Sequence, residues 1–241
     1  MTSEELIEQI RENRERVLER IGAAARKVGR DPDDVRLIVV TKGHSAVVAH
    51  AAIQAGAKRL GENYVGEGLS KMELLSDADV EWHMIGPVQS GKARDVAWHY
   101  DYFHALDRHK IARRCQKYAE EADLHLPVLL ECNVSGEESK SGWPAWDEDR
   151  WSALADELAP LFDHRNLNVS GLMTLPPFDP DPETSRPYFQ KLRRLRDFLA
   201  GEFPQSDWSE LSIGMSNDYE VAVEEGATMV RVGTAIVGPR S

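Results

Sequence analysis

The chain has 241 residues, 41% hydrophobic and 29% charged, with 41 acidic against 29 basic residues and a formal net charge of -12. A field of that sign repels phosphate backbones and excludes non-specific nucleic-acid binding, so any anionic ligand needs a local site. A mean hydropathy of -0.47, with no apolar run near the roughly 18 residues of a membrane span, excludes a membrane-embedded protein. Cys115 and Cys132 have neither metal-ligand spacing nor the density of a disulfide framework. They are expected to be reduced thiols in a cytoplasmic protein.

The first pattern is helical, over about 3–28, with Leu6, Ile10, Val17 and Ile21 at helical spacing among charged residues and no signal-peptide core. Short apolar or β-branched runs then alternate with longer helical patterns. Strand 36–41 (RLIVVT) precedes helix 45–56, strand 58–62 (KRLGE) helix 64–75, strand 81–86 (EWHMIG) helix 90–98, and strand 101–107 (DYFHALD) helix 108–122. Strand 127–134 (PVLLECNV) precedes helix 148–162, strand 167–175 (LNVSGLMTL) helix 185–200, and strand 210–214 (ELSIG) helix 217–225; strand 228–238 (TMVRVGTAIVG) comes last. Eight such units predict an α/β fold, a (β/α)8 TIM barrel formed by one domain over 1–241 with an additional N-terminal helix. An open doubly wound sheet is the alternative; it lacks the G-x-G-x-x-G that a dinucleotide-binding version places after its first strand. Two longer loops, 134–146 and 176–187, leave the C-terminal ends of strands, where they either cover a ligand or decorate the surface.

Lys42, Asn63, His83, Asn133, Met173, the segment Ser212–Ser216 and the segment Arg231–Thr234 all fall at or just past strand C-termini. In a barrel they converge on one mouth. Lys42 in VTKGH either reaches solvent as strand-end lysines commonly do, or is an amine desolvated by apolar walls, its pKa lowered for Schiff-base formation with a carbonyl. SIGMSND and RVGT bring glycines, hydroxyls and a helix start after the seventh and eighth strands, where barrels commonly bind phosphate. Two ordinary turns with a cap are the plainer account of the same residues. A Schiff-base lysine facing a phosphate cradle describes a pocket for pyridoxal 5'-phosphate. Arg231 would then lie near the pyridine nitrogen, where a permanent cation disfavours protonation and weakens the ring as an electron sink; a salt bridge inside the barrel is its other reading.

The segments VTKGH, GENYVGE, EWHMIGPVQSGK, HALD, NVSGEESKSG, GLMTL, LSIGMSND and VRVGTAIVG run in order from residue 40 to 238. Together they make the chain resemble the YggS/PROSC family, the pyridoxal phosphate homeostasis proteins, whose barrel is similar to the N-terminal domain of alanine racemase. The resemblance implies that Lys42 carries the cofactor covalently, that Asn63 and His83 lie near its ring and that Met173 lines the pocket. It also implies that Ser212, Met215 and Ser216, with Gly233 and Thr234, hold the phosphate and that Arg231 faces the pyridine nitrogen. The chain departs from many relatives in KGHS, where a proline is common, and in QSGK, where QSNK is usual; both changes are expected at the rim.

The family is thought to carry or buffer pyridoxal phosphate in vitamin B6 and amino-acid balance, which implies PLP-dependent apo-enzymes as partners and a monomer without membrane or nucleic-acid contacts. A racemase of this fold takes a second acid/base, a tyrosine, from an added C-terminal domain. Tyr64, Tyr100, Tyr102, Tyr118, Tyr188 and Tyr219 all lie within the barrel sequence, so proton abstraction is expected to be slow. The alternatives are a weak amino-acid racemase that uses Lys42 alone or with His83, and a barrel enzyme acting on another phosphorylated metabolite.

Overall fold

In the computed structural model, which describes residues 2–240, the strands are short and buried on both faces, as parallel strands are when covered inside and out. They are β1 (Arg36–Val40), β2 (Arg59–Glu62), β3 (Glu81–Met84), β4 (Tyr102–Leu106), β5 (Leu126–Asn133), the two-residue β6 (Trp143–Pro144), β7 (Leu167–Met173), β8 (Glu210–Ser212) and β9 (Met229–Val232). Every pairing is parallel. The order runs β1, β2, β3, β4, β5, β7, β8, β9 and returns to β1, where Arg36 to Val39 register with Met229 to Val232. The eight strands therefore close into the expected (β/α)8 barrel, and β6 hangs on β5 alone through Cys132 and Asn133.

Around it stand α2 (Ala46–Gln54), α3 (Val65–Leu74), α4 (Ala93–His99), α5 (His109–Glu121), α6 (Trp151–Leu158), α7 (Arg186–Glu202), α8 (Tyr219–Glu224) and α9 (Thr234–Val237), preceded by α1 (Ser3–Lys27). No helix among the described residues is long and apolar enough to cross a membrane. Pro160, which has no N–H to donate, breaks the expected 148–162 helix; only Trp151–Leu158 is α-helical, flanked by 3-10 turns. The final strand is shorter than the β-branched run suggests. Its extended backbone stops at Val232, and Gly233 accepts from the amides of Ile236 (2.8 Å) and Val237 (3.0 Å), which turns TAIV into α9 and buries Ile236.

The N-terminal helix forms as its sequence dictates. Thr2 and Glu5 make a reciprocal capping box, Arg26 and Lys27 sit in the last turn against the helix dipole, and Ile10, Val17, Ile21, Ala24 and Ala25 make one buried face. That face packs on α2, α8 and α9. Asn13 Nδ2 donates to the Ile236 carbonyl at 3.0 Å and Lys27 pairs with Glu224 at 2.6 Å, so α1 braces α9 after β9 and α8 before it. Ile21→Ala is expected to lower the unfolding free energy by about 2–4 kcal/mol, read from urea denaturation; an unchanged midpoint would show that α1 is not part of the core.

Candidate functional site

Barrel closure brings the strand C-termini to one mouth, and a cavity of about 390 Å³ opens there. It draws on the ends of β1, β2, β3, β7, β8 and β9, six neighbours in the barrel order. The ends of β4 and β5 are covered instead by β6, whose buried Trp143 donates its indole N–H to the Leu106 carbonyl at 2.9 Å. Of the two long loops, 176–187 supplies the apolar wall of Pro177 and Phe178 next to Leu175. The loop at 134–146 does not reach the cavity, but Lys140 ties it to the other by donating to the Pro176 carbonyl at 3.3 Å.

Lys42, Asn63, Met215, Ser216, Arg231, Gly233 and Thr234 line this cavity together. Lys42 is half-buried just past β1. Burial, then the charges of Arg240 and Arg231, lower its pKa from the usual lysine value, against a smaller opposing pull from Glu62. The backbone on both sides of it is held by a cluster that sequence reasoning did not single out. Lys71, buried on α3, spends its three N–H donors on the Thr41 carbonyl (2.8 Å), Glu62 (2.7 Å) and Glu67 (2.6 Å). Glu67 also accepts from the Gly43 amide at 2.6 Å, and Gly43 turns with φ +74°, a conformation other residues seldom adopt. Both peptide units flanking Lys42 are thus anchored. The Glu67–Lys71 pair has the i,i+4 spacing of a helical ion pair; its contact with the strand end carries no local sequence signal.

Past the end of β8, Gly214 takes φ +88°, and a Cβ there would lie 2.5 Å from that of Ala222, so the loop after β8 packs against α8 only with glycine. Buried Asp218 shapes this loop by accepting from the Met215 amide (2.7 Å) and the Ser185 hydroxyl (2.8 Å). Ser216 Oγ accepts from the Gly233 amide at 3.3 Å and stitches the loop to the end of β9. Hydroxyls and backbone N–H groups from two neighbouring strand ends, β8 and β9, therefore meet beside the strand that carries the amine, a donor set suited to an anion.

Arg231 is buried at the cavity floor. One terminal nitrogen donates to the carbonyl and the hydroxyl of Ser212, each at 2.6 Å, and the other to the Thr174 carbonyl at 3.0 Å. Burial lowers its pKa to about 10, leaving it cationic at neutral pH. A guanidinium carries five N–H groups, so the bonds to Ser212 and Thr174 leave Nε–H and one terminal N–H without a protein acceptor beside an open cavity. His83, Met173 and Ser212 do not line the cavity. Met173 is fully enclosed in the barrel wall, Ser212 lies inside β8 under Arg231, and His83 turns into the interior to meet His104, another residue sequence reasoning missed. Nothing local in the HALD segment shows that its histidine faces another one.

An amine with a lowered pKa, a donor set suited to an anion and a half-satisfied guanidinium at the mouth of a parallel barrel define a ligand-holding (β/α)8 barrel. Residues 13–241 match the family model described as alanine racemase, N-terminal domain. The chain is 42% identical over 236 residues to the pyridoxal phosphate homeostasis protein of Vibrio alginolyticus, covering 96% of this chain and 97% of the relative. It superposes on PipY of Synechococcus elongatus, solved with PLP bound, with TM-score 0.79 at 32% identity, covering 92% of this chain and all of the other. Alanine racemase from Streptomyces coelicolor shares the fold, with TM-score 0.68 at 17% identity, covering 95% of this chain and 58% of that one. The chain belongs to the pyridoxal phosphate homeostasis protein family.

The clamp under Lys42 makes a direct prediction. Lys71→Met strands two carboxylates without their cation and is expected to cost about 3–5 kcal/mol. Adding Glu62→Gln should recover part of that loss in urea denaturation, and equal losses in the single and double variants would contradict the coupling.

Proposed function

We propose that this protein binds pyridoxal 5'-phosphate through covalent attachment at Lys42, and holds or buffers it as part of vitamin B6 and amino-acid homeostasis. The observation that carries this reading is the placement of the Lys42 amine and the Ser216, Gly233 and Thr234 donors in one cavity with Arg231 between neighbouring strand ends. The amine suits an aldehyde, the donors suit a phosphate, and the spare N–H groups of Arg231 suit an unprotonated pyridine nitrogen. When bound, the cofactor supplies an electron sink, which a cation at the ring nitrogen weakens. Asn63 and Met215 close the cavity beside the amine and the anion loop. His83, Met173 and Ser212 act on such a ligand only through the residues they support.

The same cavity supports holding over turnover. None of the six tyrosines and no histidine lines it, and the hydroxyl of Tyr100 is engaged with the Val65 carbonyl at 3.3 Å. The reading extends to a monomeric cytoplasmic protein that exchanges cofactor with PLP-dependent apo-enzymes, a role its membership of the family supports.

Two measurements test it. Protein mixed with the cofactor should gain visible absorbance, and after borohydride reduction the label should map to Lys42. Lys42→Ala should lose both while it stays folded, whereas a label spread over surface lysines would contradict a dedicated site. Uptake should also depend on pH in a defined direction. Only the neutral amine attacks a carbonyl, so the rate should rise about tenfold per pH unit while Lys42 is mainly protonated and level off below its ordinary pKa of 10.5. A rate that keeps climbing to that value would show an unperturbed lysine.

A further inference from the structure

A line of polar side chains crosses the barrel interior from the floor of the cavity to its opposite end. Arg231 donates to Ser212 Oγ at 2.6 Å; Ser212 Oγ lies 2.9 Å from His104 Nδ1; His104 Nε2 lies 2.9 Å from His83 Nδ1; and His83 Nε2 lies 3.4 Å from Glu81 Oε2. Ser212, His104 and His83 are all buried, whereas Glu81, the first residue of β3, is half-exposed at the end of the barrel away from the mouth. Tyr102 stacks on His83 with ring centroids 5.5 Å apart and planes within 6°, and packs edge-on against His104 at 5.0 Å. The rings are held in place from the side.

The chemistry of its two ends sets the direction of this line. A guanidinium only donates and a carboxylate only accepts. If the Ser212 hydroxyl donates to His104 Nδ1, then His104 carries its proton on Nε2 and donates to His83 Nδ1, and His83 carries its proton on Nε2 and donates to Glu81. Every atom is then paired. In the reverse order both rings carry Nδ1–H, the Ser212 hydroxyl proton has no acceptor inside the barrel, and a ring lone pair faces a carboxylate. Burying an unmade hydrogen bond costs about 1–3 kcal/mol, and the reverse order also sets two acceptors against each other.

We propose that Ser212, His104 and His83 form a one-way hydrogen-bond relay, with both imidazoles neutral and protonated on Nε2, that couples the Glu81 carboxylate to Arg231 and positions its guanidinium in the cavity. Burial acts in the same sense, lowering the pKa of His83 and pushing that of His104 well below the ordinary value. The charged groups facing the relay are few. Arg59 and Asp101 act on His83, Arg36 and Arg231 on His104, and Asp218 and Glu131 on Arg231. Arg59 also donates to Glu81 at 2.9 Å and shares its charge with His83. The three relay residues are positioning groups. They touch no part of the cavity, yet they fix which N–H groups of Arg231 remain free to face it. The step from Arg231 to a ring nitrogen rests on the cofactor reading above; the relay itself does not.

The test is nitrogen-15 NMR of the histidine rings in the cofactor-free protein at neutral pH. His83 and His104 should each show a bare Nδ1 and a protonated Nε2, and Nδ1–H on either ring, or a cationic ring, overturns the proposal. Glu81→Gln, at a half-exposed position, removes the terminal charge without emptying the interior. It should move the Nε2 proton resonances of both His83 and His104, and a change confined to His83 shows that the groups are not coupled. Ser212→Ala should return His104 to a mixture of tautomers and weaken cofactor retention about tenfold, the loss of one hydrogen bond to a charged group; a tautomer unchanged from the native protein overturns the assigned direction. If the native protein takes up no cofactor while the rings show the expected protons, the cofactor reading fails and the relay stands.

Discussion

A guanidinium inside a closed, largely apolar barrel is the constraint from which the rest of this structure follows. Removing a charge from water is tolerable only when its donors are met by well-placed acceptors. Arg231 finds them on two neighbouring strands, in the Ser212 and Thr174 carbonyls and the Ser212 hydroxyl. These bonds run round the barrel wall from β9 to β8 and to the end of β7, and they set the floor of the cavity. They also leave Arg231 with donors it cannot use within the protein. The site is built around a cation that is compensated on the barrel side and open on the mouth side.

Lys42 is held by a complementary arrangement. The Lys71 ammonium and the carboxylates of Glu62 and Glu67 grip the peptide units before and after it rather than its side chain. The amine is left free while its backbone is fixed. Glu62 retains one buried oxygen with no partner, and burial raises its pKa against the bonds from Lys71 and Thr41. Such residual strain in a polar cluster is acceptable where it fixes geometry beside a reactive group.

Much of this was legible in the amino-acid order because the period of the pattern and the placement of glycine are local signals. The alternation of short apolar runs with helical segments gave the closed barrel, and Lys42, Ser216, Gly233 and Thr234 could be placed at the cavity because each lies within a few residues of a strand's C-terminal end. What stayed hidden depends on direction across the barrel. His83 looks like a mouth residue by its position near the end of β3, but its side chain turns inward to His104 on the next strand. Met173 and Ser212 belong to the wall for the same reason: a strand's last residue faces the cavity only if its side chain and its register both point there. Lys71 and Arg240 were invisible because the Thr41 carbonyl and the Lys42 amine on which they act lie far away in sequence, and α9 reads as strand because Thr234, Ile236 and Val237 are β-branched and carry no helix signal of their own.

The electrostatics of the mouth place two tasks in opposition. The chain carries a formal net charge of -12, yet Lys42, Arg231 and Arg240 share one cavity, with Asp179 and Asp218 also in its lining. That local excess of positive charge attracts an anion against the field of the whole molecule, and it adds to burial, the larger cause, in holding the Lys42 amine below its usual pKa. A phosphate-bearing ligand settling into the Ser216 and Gly233 loops would offset the neighbouring cations and draw the Lys42 pKa upward again.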